Sequence, residues 1–358
     1  MTGRSGHRAR ARRLRRRCRF SELAKKLGRD AVILKRFQNP WEGQAASGAI
    51  RRPALLPRLS CLDLACYHLG AAMAGTLLTA VSGRRDMRES AESEAADPGR
   101  FYDALRASGL SVAALAYGDA YIGQECLLTA DEISTFAVRA GIGAGTWVLD
   151  VGSGTGGPAC YLARKLGCRV LGVDISAVGH AQAEARAREH KVGDLAQFRL
   201  GDIHAIELPA ATFDVIIGLD SWCHIPRRPV LLQRCAELLR PDGRLAFYDH
   251  VERQPLPEEL RRRFCAGWRF AGLETPRSYL DALGAAGLEL VFHEETSAFA
   301  VRFYTRVLEG YRAERARFEA ARGPERYQEG LERLEMSQHL AATGILGQFA
   351  CIALKPTR

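Results

Sequence analysis

The segment Val148-Leu-Asp-Val-Gly-Ser-Gly-Thr-Gly-Gly157 restricts the fold more than any other part of the chain. An apolar, strand-like run ends in four glycines within six positions. Glycine tolerates positive φ and lets a ligand come close to the backbone. A strand that turns this tightly into a helix predicts an α/β fold, and the periodicity on either side agrees. Thr129–Ala140 reads as a helix opened by a capping box, Thr129 with Glu132. Thr146–Val151 is a strand, apolar but for Thr146 and Asp150, followed by a helix over Gly157–Leu166, a strand over Arg169–Val173 and a helix over Ala177–His190. Gln197–Leu200 and Phe213–Leu219 are the next strands. Pro229–Leu239 is a helix stopped by Pro241-Asp242-Gly243, and Arg244–Tyr248 is the fifth strand. Leu288–His293 and Phe349–Leu354 add two more, with a helical insert over 298–342 between them. Strands alternating with helices, and apolar on both faces, predict a doubly wound, mostly parallel sheet.

The glycines at 152, 154 and 157 also match a dinucleotide-binding pattern, so alone they are weak evidence. The acids around them separate the two readings. Asp150 ends the first strand, where a carboxylate holds a ligand ammonium but repels a pyrophosphate. Asp174 ends the second strand and is placed to accept from both hydroxyls of a ribose, a feature common to both kinds of site. Asp202, after the third strand, is placed to accept from an adenine amino group. Taken together, LDVGSGTGG, LGVDIS, GDI, FDVIIGLD and LRPDGRL resemble the class I S-adenosylmethionine-dependent methyltransferases over roughly residues 102–356. The resemblance implies a Rossmann-like sheet of seven strands, the last antiparallel, with S-adenosyl-L-methionine across the strand C-terminal ends. It assigns Asp150, Gly152, Gly154 and Gly156 to the methionine portion, Asp174 to the ribose, and Asp202 and Ile203 to the adenine, with Ile175 as a further cofactor contact. Leu219 and Asp220 would close over the donor.

The acceptor side is read from what flanks that core. Asp220-Ser-Trp-Cys-His224 resembles the same place in small-molecule methyltransferases of the sarcosine/dimethylglycine, tocopherol and geranyl-diphosphate types. Pro226-Arg227 departs from the acidic-Arg pair of the first group. A sulfonium methyl is already electrophilic, so positioning does most of the work. A base is needed only when the nucleophile must lose a proton. Asp220 is the first candidate base and His224 the second. Tyr121, Trp222, His250, Trp268 and Tyr304 are candidate acceptor contacts, with Phe270 and Phe349 as further pocket aromatics. Tyr121 lies in a segment, 116–123, expected to fold over the cofactor, and the insert is expected to act as a lid. No metal is expected.

The chain carries a net charge of +10, which invites a nucleic-acid reading. Its distribution removes that reading. Residues 1–36 hold 14 Lys and Arg against two acids, a balance of +12, while the other 322 residues, 37 basic and 39 acidic, stand at −2. The expected reaction is in-line transfer of a methyl group to N, O or C of a small metabolite, with no nucleic acid and no membrane partner expected, and the protein a monomer or homodimer. Ten scattered cysteines without CxxC or zinc-ligand spacing point to reduced thiols and a cytoplasmic setting. Residues 1–86 are expected to be a poorly ordered extension, with 87–358 the catalytic domain. The uncharged run Leu64–Val81 leaves three readings open: a dispensable or misassigned segment, a membrane anchor, or an accessory region. Two alternatives follow, a membrane-anchored C-methyltransferase of lipid or prenyl substrates and an RNA methyltransferase recruited by the Arg-rich tail.

Overall fold

The computed structural model describes residues 111–357; the Arg-rich run, Leu64–Val81 and the rest of 1–110 lie outside the described residues. Seven strands form one sheet in the order β3-β2-β1-β4-β5-β7-β6. They are β1 Trp147–Val151, β2 Arg169–Asp174, β3 Ala196–Leu200, β4 Phe213–Leu219, β5 Leu239–Glu252, β6 Glu289–Thr296 and β7 Leu346–Leu354. β1 to β5 pair in parallel, and β7 runs antiparallel between β5 and β6. The helices are α1 Val112–Tyr117, α2 Ala130–Ala140, α3 Gly157–Leu166, α4 Ala177–Glu189, α5 Arg228–Leu238, α6 Glu258–Trp268, α7 Pro276–Ala285, α8 Ala298–Ala313, α9 Arg315–Arg322 and α10 Pro324–Ala342.

Side-chain alternation along the strands builds two cores. Val148, Val170, Val215 and Ala246 face one side, against Phe136 of α2 and Leu162 and Ala163 of α3. Leu149, Val173, Ile216 and Phe247 face the other, against Leu231 and Cys235 of α5 and Tyr279 and Leu283 of α7. The insert over 298–342 brings its own core, in which Phe303, Tyr304 and Tyr311 of α8 meet Phe264 of α6, Phe318 of α9 and Leu334 of α10. Arg302 ties this third core to the body. Its two Nη atoms donate to both carboxylate oxygens of Glu132, at 2.8 and 2.6 Å. Glu132 also closes the capping box that starts α2. Among the described residues no helix is long and apolar enough to cross a membrane.

The fifth strand is longer than expected at both ends. Pro241-Asp242-Gly243 makes an irregularity inside the strand, where the β4 register skips between Phe213 and Val215, rather than a stop before it. At the other end the strand continues past Tyr248 because β7 supplies partners as far as Leu346. That extension places His250 opposite Gln348, inside the sheet.

Candidate active site

A cavity of about 1050 Å³ opens at the C-terminal ends of β1, β2 and β4 and runs on beneath the helical insert. One half is walled mainly by strand ends and glycine backbone. Gly152, Gly154 and Gly156 all have positive φ. At Gly152 the requirement is also spatial, since a Cβ there would sit 2.6 Å from Cβ of Ser221. Gly154 donates its N–H to Asp174 Oδ2 at 2.7 Å, and Ser176 N–H donates to Oδ1 at 2.9 Å. Asp150 is buried, and its Oδ2 has no hydrogen-bond partner among the described residues. Burial, with the neighbouring Asp174 charge adding to it, pushes the Asp150 carboxyl up to about 7. A buried acid with an orphaned oxygen is complementary to a ligand cation. Asp202 takes the His204 N–H at 2.9 Å, and Ile203 and Ile175 complete the apolar walls.

The loop from Tyr121 to Leu127 covers this half. Tyr121 lines the cavity and donates from its hydroxyl to Glu125 at 2.5 Å. Arg186 of α4 locks the loop to the glycine turn, donating from Nε to Thr155 O at 3.0 Å and from Nη1 to Ile122 O at 3.2 Å.

Asp220, in a left-handed conformation (φ 54°) just past β4, stands where the two halves meet. Its carboxylate accepts from Leu127 N–H at 2.7 Å and from Gln348 Nε2 at 2.9 and 3.0 Å. His250 Nδ1 lies 3.4 Å from Asp220 Oδ1, and His250 Nε2 lies 3.2 Å from the Tyr304 hydroxyl. This makes a chain from carboxylate to imidazole to phenol. Burial first, with the Asp220 charge adding to it, holds the Tyr304 phenol far above its ordinary range, so it stays protonated. His224 also lines the cavity, but its Nδ1 is 3.2 Å from Arg269 O and its ring meets Phe270 edge-on at 4.9 Å. Beyond this junction the wall is Trp268, Phe270 and Phe303, and further out Phe318.

A buried network behind the wall sets the loop that carries Asp220 and His224. Asp249 accepts from Cys223 N–H at 2.9 Å and from the Tyr279 hydroxyl at 2.5 Å. Arg228 donates to the carbonyls of Cys223 at 2.9 Å, Gly272 at 2.5 Å and Ile225.

The cavity thus gathers Asp150, Gly152, Gly154, Asp174, Ile175, Asp202, Ile203, Leu219, Asp220, His224, Tyr121, His250, Trp268 and Tyr304. Three of the residues expected there lie elsewhere. Trp222 is fully buried and stacks on Phe247, ring centroids 4.6 Å apart, because the 3₁₀ turn Trp222–His224 directs it into the core under β4. Gly156 stands outside the lining. Its lack of a side chain admits Phe198 and Ala183, either of which a Cβ would meet within 2.8 Å. Phe349 is likewise core, stacked against Tyr279. Sequence reasoning missed Arg186, Phe303, Gln348 and the arginines of α9 and α10. An arginine in an amphipathic helix carries no signal that separates a cavity wall from solvent, and Gln348 sits in a strand between apolar neighbours.

Known proteins place the chain in a family. Residues 149–247 match the family model described as a methyltransferase domain. The chain is 37% identical over 158 residues to Methyltransferase GfsG of Streptomyces halstedii, covering 43% of this chain and 56% of that protein. It therefore spans little more than half the length of that relative. It is 30% identical over 217 residues to the 27-O-demethylrifamycin SV methyltransferase of Amycolatopsis mediterranei, covering 60% of this chain and 74% of that protein. Its fold is similar, with a TM-score of 0.59, to phosphoethanolamine N-methyltransferase 2 of Haemonchus contortus solved with S-adenosyl-L-methionine, at 20% identity over 69% of this chain and 56% of that one. A glycine turn with a buried acid beside it whose Oδ2 lacks a partner among the described residues, Asp174 at the next strand end and these relatives lead to one conclusion. The chain belongs to the S-adenosylmethionine-dependent methyltransferases.

Proposed function

We propose that the protein methylates a hydroxyl of a small, largely apolar molecule. The observation that carries this reading is the imidazole of His250, aligned by Asp220 at the junction of the cavity's two halves. The oxygen named in the rifamycin-type relative's substrate supports it too. S-adenosylmethionine, when bound, supplies an electrophilic methyl on a sulfonium. Asp150 would hold its ammonium, Asp174 its ribose, and Asp202 with Ile203 its adenine. Ile175, Leu219 and the backbone of Gly152 and Gly154 would frame it.

The chain's own residues do the rest. With its proton on Nδ1, facing Asp220, His250 presents Nε2 as an acceptor; the Tyr304 hydroxyl occupies that lone pair until it turns to the acceptor oxygen, and the acceptor hydroxyl then takes its place and gives up its proton there. Asp220 serves as the orienting group rather than the base, because its oxygens already hold Leu127, Gln348 and His250. Tyr304 donates to the imidazole or to the acceptor oxygen. Tyr121, Trp268 and Phe303 exclude water, and the insert acts as the lid. We place residues 87–358 as the working enzyme, cytoplasmic, a monomer or homodimer that needs no nucleic acid. Buried thiols such as Cys126, Cys160 and Cys223 suit a reducing compartment.

The test is transfer of a labelled methyl group by the full chain to a panel of phenols, aliphatic alcohols, prenyl alcohols and amines. His250→Ala is expected to lower kcat by about 10²–10⁴-fold with S-adenosylhomocysteine affinity unchanged. Full turnover in that variant overturns the base assignment. Labelling of amines alone overturns the hydroxyl reading.

A further inference from the structure

The His250 imidazole already meets one hydroxyl, and that hydroxyl is a phenol. Tyr304 of α8 brings its oxygen to 3.2 Å from His250 Nε2, while Nδ1 lies 3.4 Å from Asp220 Oδ1. All three side chains are buried, and all three line the cavity. Aromatic rings surround this junction. Phe303 meets the Tyr304 ring edge-on with centroids 5.4 Å apart, and Trp268 meets it tilted at 5.9 Å. Phe270 lies 5.1 Å from the His250 ring and 4.9 Å from that of His224. Phe303, Trp268 and Phe270 are themselves cavity wall, so the rings that pack round one phenol also face the space an acceptor fills. Walls of this kind suit a flat π system, met edge-on or offset. Acidity points the same way. An imidazolium gives up its proton near pH ~6.5, a phenol near ~10, and an aliphatic hydroxyl near the ~15.7 of water. Proton transfer to an imidazole is therefore uphill by about 10³–10⁴-fold from a phenol and by about 10⁹-fold from an aliphatic alcohol. The phenol is the hydroxyl that such a base moves at least cost.

Resting on the hydroxyl-methylation reading above, we propose that the acceptor is a phenol, its hydroxyl borne directly by an aromatic ring. The ring lies against Phe303, Trp268 and Phe270, and its oxygen takes the position at His250 Nε2 that the Tyr304 hydroxyl gives up. There the O–H bond breaks and the proton passes to Nε2. The oxygen bonds to the methyl carbon of the donor as the carbon–sulfur bond breaks, and that electron pair stays on sulfur. The products are an aryl methyl ether, S-adenosylhomocysteine and a proton on His250, whose charge Asp220 balances until solvent takes the proton away.

Four probes of similar size test this on the full chain with labelled S-adenosylmethionine: 2-naphthol, 2-naphthalenemethanol, decahydro-2-naphthol and 2-naphthylamine. The second keeps the aromatic rings but carries its hydroxyl on an aliphatic carbon. The third keeps the point of attachment and loses the π system. 2-Naphthol is expected to be methylated with kcat/KM at least about 10²-fold above both alcohols. A phenol that turns over no faster than either alcohol overturns the proposal. Labelling of 2-naphthylamine alone overturns the hydroxyl reading beneath it. A second arm isolates the proton transfer. 4-Nitrophenol is largely ionised at pH 8 and needs no base. His250→Ala is expected to lower kcat by about 10²–10⁴-fold for 2-naphthol but by less than about tenfold for 4-nitrophenol. A purely structural role for His250 would lower both alike, and equal losses overturn the proton transfer to Nε2. S-adenosylhomocysteine binding checks that the variant folds, and the wild-type panel decides the acceptor class should it fail to.

Discussion

Around Asp150 and Asp174 the cavity wall is made of strand ends and glycine backbone; around Trp268, Phe303 and Arg333 it is made of side chains carried on helices. The first half depends on a few positions close together in sequence. The glycine turn directly follows β1, and each acid sits at or just past the end of a parallel strand. The second half is assembled from α6, α8, α9 and α10, so its chemistry can change without disturbing the sheet. A fold that keeps one cofactor and varies its acceptor is organised in this way, with recognition of the constant ligand built into the backbone and recognition of the variable one into side chains.

The comparison breaks most sharply at Trp222, which the sequence assigned to the acceptor half and the structure places in the core. Trp222→Ala is expected to cost about 3–5 kcal/mol of folding stability, as for other large buried aromatics. Denaturant unfolding measures this. A stable variant with only a raised acceptor KM would return Trp222 to the cavity. Next comes Asp150. Its carboxyl, held near 7 without ligand, must be ionised to pair with a cofactor ammonium, so binding releases protons at lower pH. S-adenosylhomocysteine affinity is therefore expected to fall as pH drops below about 7, by up to about tenfold per unit. Asp150→Asn should bind more weakly at pH 8 and show a flat profile through that range. Calorimetry in buffers of different ionisation enthalpy counts the protons, and an unchanged profile in the variant removes Asp150 from the ammonium site. The smallest effect concerns the join between the halves. Thr129→Ala deletes the cap of α2 and loosens Glu132, the partner of Arg302, for an expected loss of about 1 kcal/mol. Thermal melting reads that loss, and a much larger one would mean that the insert depends on this anchor to dock.

The cofactor half was legible because each of its signals is local. Asp150, Asp174 and Asp202 could be named from strand periodicity alone, since a residue that ends a parallel strand lies at the ligand edge of the sheet. The acceptor half was legible only in part. Tyr121, Trp268 and Tyr304 were found by residue type, as was Trp222, and residue type does not distinguish a pocket aromatic from a core one. His250 was read as an acceptor contact and Asp220 as the base. Their pairing, on which the exchange of roles rests, became visible only when β5 proved long enough to carry His250 alongside Gln348.

Sequence alone determined the alternation of strands and helices, the glycine turn and the acids at the strand ends, because these follow from spacing within a few residues of one another. The tertiary structure decided which acid is already engaged and which imidazole faces it, and it brought arginines of the insert into the cavity wall. Asp220 takes its donors from Leu127 and Gln348, 93 and 128 positions away. Arg302 reaches Glu132 across 170 positions. Such contacts are set by how the sheet, the covering loop and the insert pack together, and no local period along the chain encodes them.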